Sequence, residues 1–210
     1  MKLSLEATNA NKSFINYVSS GKDFYLGEDN KANKTDKKLG YVYKRYNLDG
    51  KYQVVVRVEV DSYIKDPNSE KNNFCLVRAL NENDLASEWR KKLISNKGAV
   101  FSSEMRNNNC KIYKWLCQAY LMEASTVKLG FVSRASQKES NKHVLLGVDS
   151  LTYKEIATIM NFKILDCWIL IKYLIEFLMK QENGKFALVK TPFKPQVRVY
   201  KVPDEKKEDL

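Results

Sequence analysis

Apolar and polar positions along residues 40–60 follow a strand pattern. Gly40-Tyr41-Val42-Tyr43-Lys44-Arg45-Tyr46 is a β-like run, and residues 52–60 are rich in β-branched side chains. Between them lies Asn47-Leu48-Asp49-Gly50, and Asp-Gly is a favoured hairpin dipeptide. A polar loop at 65–73 and a short strand at 74–78 follow. The pattern then becomes helical. Asp84 is placed to cap a helix through Leu85, Trp89 and Leu93 that stops near Gly98. Asn109 or a neighbour caps a second helix over 111–122, where Ile112, Trp115, Leu116, Ala119 and Tyr120 recur at helical spacing. Strands at 127–132 and 143–148 flank a polar loop. Thr152-Tyr153-Lys154-Glu155 is a capping box opening a short helix. Residues 163–181 predict a longer helix, apolar on most of its surface and therefore mostly buried. Gly184 ends it, and 185–190 with 197–202 predict a closing hairpin. The first forty residues are polar, Asn/Lys-rich above all at 27–38, and read as a long loop. The charged tail 204–210 reads as frayed. Strands and helices mix without regular β-α-β alternation, so the expected class is α+β with mixed, mostly antiparallel sheets flanked by helices.

Composition narrows the function. With 36 Lys+Arg against 25 Asp+Glu, the 210-residue chain carries a formal charge of +11, which suits a polyanionic partner: nucleic acid, ribosome or an anionic membrane surface. His143 is the single histidine, which excludes chemistry needing two. Cys75, Cys110, Cys117 and Cys167 form no C-x-x-C pair, so no zinc ribbon or thioredoxin motif is available, and their scatter fits a reducing compartment. The N-terminus lacks the apolar core of a signal peptide, and no stretch approaches the ~20 apolar residues of a membrane span. No P-loop, G-x-G-x-x-G, G-x-S-x-G or H-E-x-x-H occurs.

Three constellations can carry chemistry. Arg57, Glu59 and Asp61 alternate on a strand and so share one face, where two carboxylates could hold a divalent cation. A solvated strand face with Arg57 neutralising Glu59 is the plainer alternative. Lys128 and Arg134 flank a strand whose Gly130 permits close backbone approach, and Lys138, Lys142 and His143 follow. This basic stretch suits phosphate contacts, or is an ordinary solvated loop. Among the aromatic residues, Trp115 and Trp168 sit in amphipathic helices and read as core. Tyr17, Tyr43 and Tyr46 lie in less apolar contexts and suit base stacking.

Beyond these patterns, the chain from about Ser13 to Asp204 resembles the d-subunit family of eukaryotic translation initiation factor 3. The resemblance rests on Ser13-Phe14-Ile15-Asn16, Tyr43-Lys44-Arg45-Tyr46, Val56-Arg57-Val58-Glu59-Val60-Asp61, Trp89-Arg90-Lys91-Lys92-Leu93, Lys128-Leu129-Gly130-Phe131-Val132-Ser133-Arg134 and His143-Val144-Leu145-Leu146-Gly147. It implies a cytoplasmic component of the initiation factor complex on the small ribosomal subunit, with a cap-binding domain related to the decapping exoribonucleases. The chain would hold the C-terminal part of that domain over 41–203, after an N-terminal segment 1–40 at the RNA-channel entrance. The implied partners are capped mRNA, other subunits of the complex and the small ribosomal subunit, with no membrane and no cofactor.

The nuclease relatives also imply where a metal site would be. Glu59-Val60-Asp61 matches their E-h-D motif. Their E-h-K motif falls on Leu76-Val77-Arg78, which puts Arg78 in a metal motif whose acidic ligand is missing, and their earlier Glu falls near Ser20. Glu104-Met105-Arg106 is a second match to E-h-K that would restore a third carboxylate. The expectation is a domain that binds the capped 5′ end without cutting it, with Asn16 and Tyr17 near the cap and Arg57, Lys128, Arg134, Lys142 and His143 on the RNA. A residual metal-dependent exonuclease using Glu59, Asp61 and Glu104, and a purely structural ribosome bridge, are the alternatives.

Overall fold

The computed structural model describes residues 2–20, 40–64, 73–82, 84, 87–136 and 139–203. The polar stretches 27–38 and 65–72, the tail 204–210, Leu85 and Lys138 lie outside the described residues. Two units divide the chain, Met1–Lys163 and Ile164–Leu210.

In the first unit, β1 (Gly40–Leu48) and β2 (Tyr52–Val60) form the expected antiparallel hairpin, in register from Gly40 opposite Val60 to Leu48 opposite Tyr52. The loop between the paired Leu48 and Tyr52 is Asp49-Gly50-Lys51; Asp49 and Gly50 both take positive φ, 53° and 69°, the backbone for which Asp-Gly is favoured. A second sheet has the order β3-β4-β5-β6, from β3 (Ser62–Ile64), β4 (Asn73–Glu82), β5 (Thr126–Arg134) and β6 (His143–Leu151). β4 and β5 are parallel and the other pairs antiparallel, so the sheet is mixed and the class α+β.

A parallel pair needs a crossover. Here it runs through α2 (Trp89–Ser95), α3 (Lys97–Asn107) and α4 (Asn109–Met122). The apolar stripe Ile112, Trp115, Leu116, Ala119 and Met122 of α4 buries against Leu76 and Leu80 of β4 and Val127, Leu129 and Phe131 of β5. The single helix expected from Asp84 to Gly98 is instead two. The cap of α2 comes from the end of β4: buried Glu82 accepts from the Trp89 amide at 2.8 Å and from the Ser87 hydroxyl at 2.6 Å, and Glu88 precedes the helix with a φ of 54°. Gly98 stops nothing. Asn96 caps a new helix by accepting from the Ala99 amide, and Gly98 lies inside it.

The largest departure is at the N-terminus. Residues expected to form a loop are α1 (Lys2–Ser20), a helix of 19 residues. Its Asn, Ser and Thr content gives little intrinsic helicity. What holds it is one stripe, Ala10, Phe14, Tyr17 and Val18 with Ile15 beside it, packed on Cys75, Val77, Ala79 and Val132 of the sheet. Phe14 is fully buried with its ring over Gly130, where a β-carbon would stand 2.7 Å from the ring. Gly130 thus permits the close approach that its place in a strand suggested.

The capping box opens α5 (Tyr153–Ile159) as expected: Thr152 Oγ1 accepts from the Glu155 amide and Glu155 Oε2 from the Thr152 amide.

The second unit holds α6 (Ile164–Leu178) and the expected hairpin of β7 (Lys185–Lys190) with β8 (Val197–Val202). The expectation of a mostly buried helix fails, because no residue of α6 is buried. Leu165, Ile169, Tyr173 and Phe177 are all exposed, and Trp168 is half-buried rather than core. Two strands of six residues offer too little surface to cover a helix that is apolar on most sides. No helix among the described residues is long and apolar enough to cross a membrane.

Candidate nucleic-acid interface

The interface begins at an open sheet edge. β3 pairs with β4 only from Asn73 to Cys75, so the outer edge of β4 beyond that point has no partner strand among the described residues. Unpaired edge donors need other acceptors. The Val77 amide donates to Asp61 Oδ2 at 3.1 Å and the Ala79 amide to Asn11 Oδ1 at 2.9 Å. Along this edge lies a cleft of about 820 Å³. One wall is a face of α1, with Ser4, Thr8, Asn11, Lys12 and Ile15. The opposite wall is a face of α4, with Lys111, Lys114, Trp115, Gln118 and Leu121. The end of β2 supplies Arg57 and Glu59, with Asp61 just beyond it, and β4 supplies Arg78.

At its base, Arg78 Nη1 donates to Asp61 Oδ2 at 2.5 Å and to the Val77 carbonyl at 2.7 Å, while Nη2 donates to Gln118 Oε1 at 2.9 Å. Both partners of the ion pair are largely buried, with 12% and 8% of their side chains exposed. The Arg57 guanidinium lies 4.9 Å from the centre of the Tyr41 ring. Lys111 Nζ lies 4.9 Å from the Trp115 ring, and burial pushes its ammonium below the usual lysine range against the opposing pull of Glu104. Among the described residues five cations line the cleft against two carboxylates, and Arg78 already holds one of those. The surface is therefore cationic, roomy, and floored by a fixed guanidinium.

Arg57, Glu59, Asp61 and Arg78 all line this cleft. The other candidates lie elsewhere. Asn16 and Tyr17 are on α1 but off its cleft face, and the Tyr17 ring stacks on Phe14. Lys128 donates to Ser150 Oγ across the sheet. Arg134 and His143 share a buried cluster with Glu6 of α1: Arg134 Nε and Nη2 donate to the two carboxylate oxygens at 2.7 and 2.6 Å, and His143 Nε2 lies 2.7 Å from Oε1. Those two side chains are spent on seating α1. Lys142 is exposed and pairs with Glu139. Glu104 sits on α3, accepts from Asn108 and is not among the cleft residues; burial pushes its carboxyl up. Among the described residues no three His, Cys, Asp or Glu side chains are grouped to hold a metal ion.

Lys12 and Lys111 were not singled out by the sequence, and Lys114 only as the first residue of a segment, 114–121, that resembles the K-W-W-A-Q-S-F-L helix of the decapping nucleases. Lys12 was hidden by reading its segment as a loop. For Lys111 the available signal was its i, i+3 spacing from Lys114 on the polar side of an otherwise apolar helix.

Residues 1–201 match the family described as "Eukaryotic translation initiation factor 3 subunit 7 (eIF-3)". The chain belongs to this family. It is 39% identical over 221 residues to the D-subunit of eukaryotic translation initiation factor 3 from Pyricularia oryzae, covering 96% of this chain and 39% of that one. It is 37% identical over 213 residues to the D-2 form from Drosophila willistoni, covering 96% and 38%. The chain thus spans about two-fifths of the length of these family members. Among solved structures it is similar to Rai1 of Scheffersomyces stipitis in complex with (3′-NADP)+ and calcium ion, with TM-score 0.47 and 16% identity over 84% of this chain and 45% of that one. It is also similar to Rai1 of Candida albicans in complex with pU5-Mn2+, with TM-score 0.36 and 16% identity over 60% and 27%.

Proposed function

We propose that the cleft receives the 5′ end of a capped messenger RNA and holds it without cutting it, as part of an initiation factor complex in the cytoplasm whose partners are its other subunits and the small ribosomal subunit. The observation that carries this reading is the guanidinium of Arg78 seated on Asp61 in a cleft lined by four further cations. Metal-assisted phosphoryl transfer needs carboxylates free to hold cations against the scissile phosphate. Asp61 is instead held by Arg78 and by the Val77 amide. A fixed guanidinium neutralises phosphate as a metal would, but it generates no hydroxide nucleophile. Family membership supports the setting in translation initiation, and the exposed apolar residues of α6 support an assembly, since such patches mark protein contacts.

The test is fluorescence anisotropy of a short labelled RNA, capped and uncapped, at near-physiological salt, with free cap analogue as competitor. A capped preference that the analogue abolishes is expected. Equal binding of both forms would remove the cap from the proposal and leave a generic cationic surface. The same RNA incubated with Mg2+ or Mn2+ is expected to stay full length; shortening that disappears in Glu59→Gln would overturn the non-cleaving reading. Reversing charge at Lys111 and Lys114 together is expected to weaken binding at least ~10-fold. The double reversal should also flatten the salt dependence, by about 0.7 in log–log slope for each phosphate that is no longer neutralised.

A further inference from the structure

We propose that the outer face of the β1–β2 hairpin is a stacking track for single-stranded RNA, carrying the nucleotides that follow those held in the cleft. The proposal rests on the cleft reading above and extends it to a second surface. Every outward position of the hairpin is exposed, and every inward one but Gly40 is at least half-buried, so the outer face is a defined set of side chains. In the register of the pair, Tyr41 stands opposite Glu59, Tyr43 opposite Arg57 and Arg45 opposite Val55. Tyr41 and Tyr43 are 43% and 68% exposed, an unusual allowance of aromatic surface to water for two residues side by side on one strand.

Two exposed rings interleaved with guanidinium groups are what a sequence-tolerant single-strand site requires: a π-face for each base and a cation near each phosphate. Arg57 joins the two surfaces. Its guanidinium packs on the Tyr41 ring and also lines the cleft, so a strand leaving the cleft past Arg57 meets Tyr41 and Tyr43 next, with Arg45 beyond them. Glu59 is the single anion on this face and lies at its cleft end, opposite Tyr41; beyond it Tyr43 and Arg45 stand opposite Arg57 and Val55. A protein partner could also use tyrosine and arginine. Continuity with a cationic cleft and the tyrosine–arginine make-up of the face favour RNA.

The experiment uses the full chain and capped oligouridylates of two to ten nucleotides. Wild-type affinity is expected to rise once the oligonucleotide is long enough to leave the cleft. Tyr43→Ala should remove roughly 5- to 150-fold of that rise, the span that follows from loss of one base–aromatic stack, and leave the two-nucleotide ligand unaffected. Tyr43→Phe, which keeps the ring, should restore it. Abasic residues at the distal positions should cost the wild type as much as Tyr43→Ala does. A length-dependent rise that survives both Tyr43→Ala and the abasic substitutions would overturn the track. Failure of the cleft reads out separately: no binding of the two-nucleotide ligand, with longer RNA still sensitive to Tyr43→Ala, would sink the cleft assignment and keep the track. Binding by no oligonucleotide would sink both.

Discussion

Replacing Phe14 by alanine is expected to cost about 3–5 kcal/mol, the usual loss for a fully buried phenylalanine. Its ring is wholly inaccessible and lies directly on Gly130, filling the space between α1 and the sheet. Gly130→Ala attacks the same contact from the other side. The added β-carbon would meet the ring at 2.7 Å, so the helix has to lift, at a cost of about 1–3 kcal/mol. In the double variant the alanine at 130 occupies space that the ring has left, and most of the second cost should vanish. The check is a double-mutant cycle by chemical unfolding, followed by Trp89 and Trp115 fluorescence in a Trp168→Phe background so that only the first unit reports. A coupling above about 1 kcal/mol is expected; additive losses would mean that the ring and Gly130 do not share one space. Because α1 is a wall of the cleft, Phe14→Ala should also weaken RNA binding, although Phe14 is not a cleft residue.

What the sequence discloses and what it hides divide along the reach of the interactions. Asp49-Gly50 and Thr152 with Glu155 act within four residues, and both stand as expected. Arg57 and Glu59 share a face because strand alternation is a local rule, and Asp61 follows just beyond the strand. The boundaries of α2 and α3 misled because the cap on Trp89 comes from Glu82, a side chain that no local pattern nominates. α1 reads as loop because its propensity is poor and its stabilising partners lie in β4 and β5, far along the chain. The basic stretch around Arg134 and His143 is plain in sequence, but its neutralising carboxylate is Glu6, 128 and 137 positions earlier. A cation in sequence is a phosphate ligand only if the fold leaves it unpaired, and periodicity does not report that. The hydrophobicity of α6 is equally plain, yet composition says only that a partner surface is wanted, not that this chain provides it.

Glu6→Gln is expected to destabilise the first unit by about 3 kcal/mol, because it leaves the Arg134 guanidinium beside a neutral amide in a site where only 17% of that side chain and 5% of Glu6 meet solvent. Replacing both Glu6 and Arg134 by leucine should cost less than Glu6→Gln alone, since no unpaired guanidinium then remains and only the buried His143 Nε2 loses its partner. The pH dependence gives an independent reading. The Arg134 hydrogen bonds, opposed by burial and aided by His143, hold the Glu6 carboxyl below its ordinary value of 4.5. The unfolded chain therefore takes up a proton first as pH falls. The stabilisation is fully present above pH 4.5 and is lost as pH drops through the lowered value. Unfolding free energies of wild type and Glu6→Gln should differ most near neutrality and converge under acid. A difference that stays constant from pH 7 down to the acid limit would mean that the carboxylate's charge contributes nothing and that shape alone seats α1. Convergence would instead make this cluster the electrostatic clasp that holds one wall of the cleft in place, and would explain why the most basic stretch of the sequence supplies a hinge pin for the site rather than its phosphate contacts.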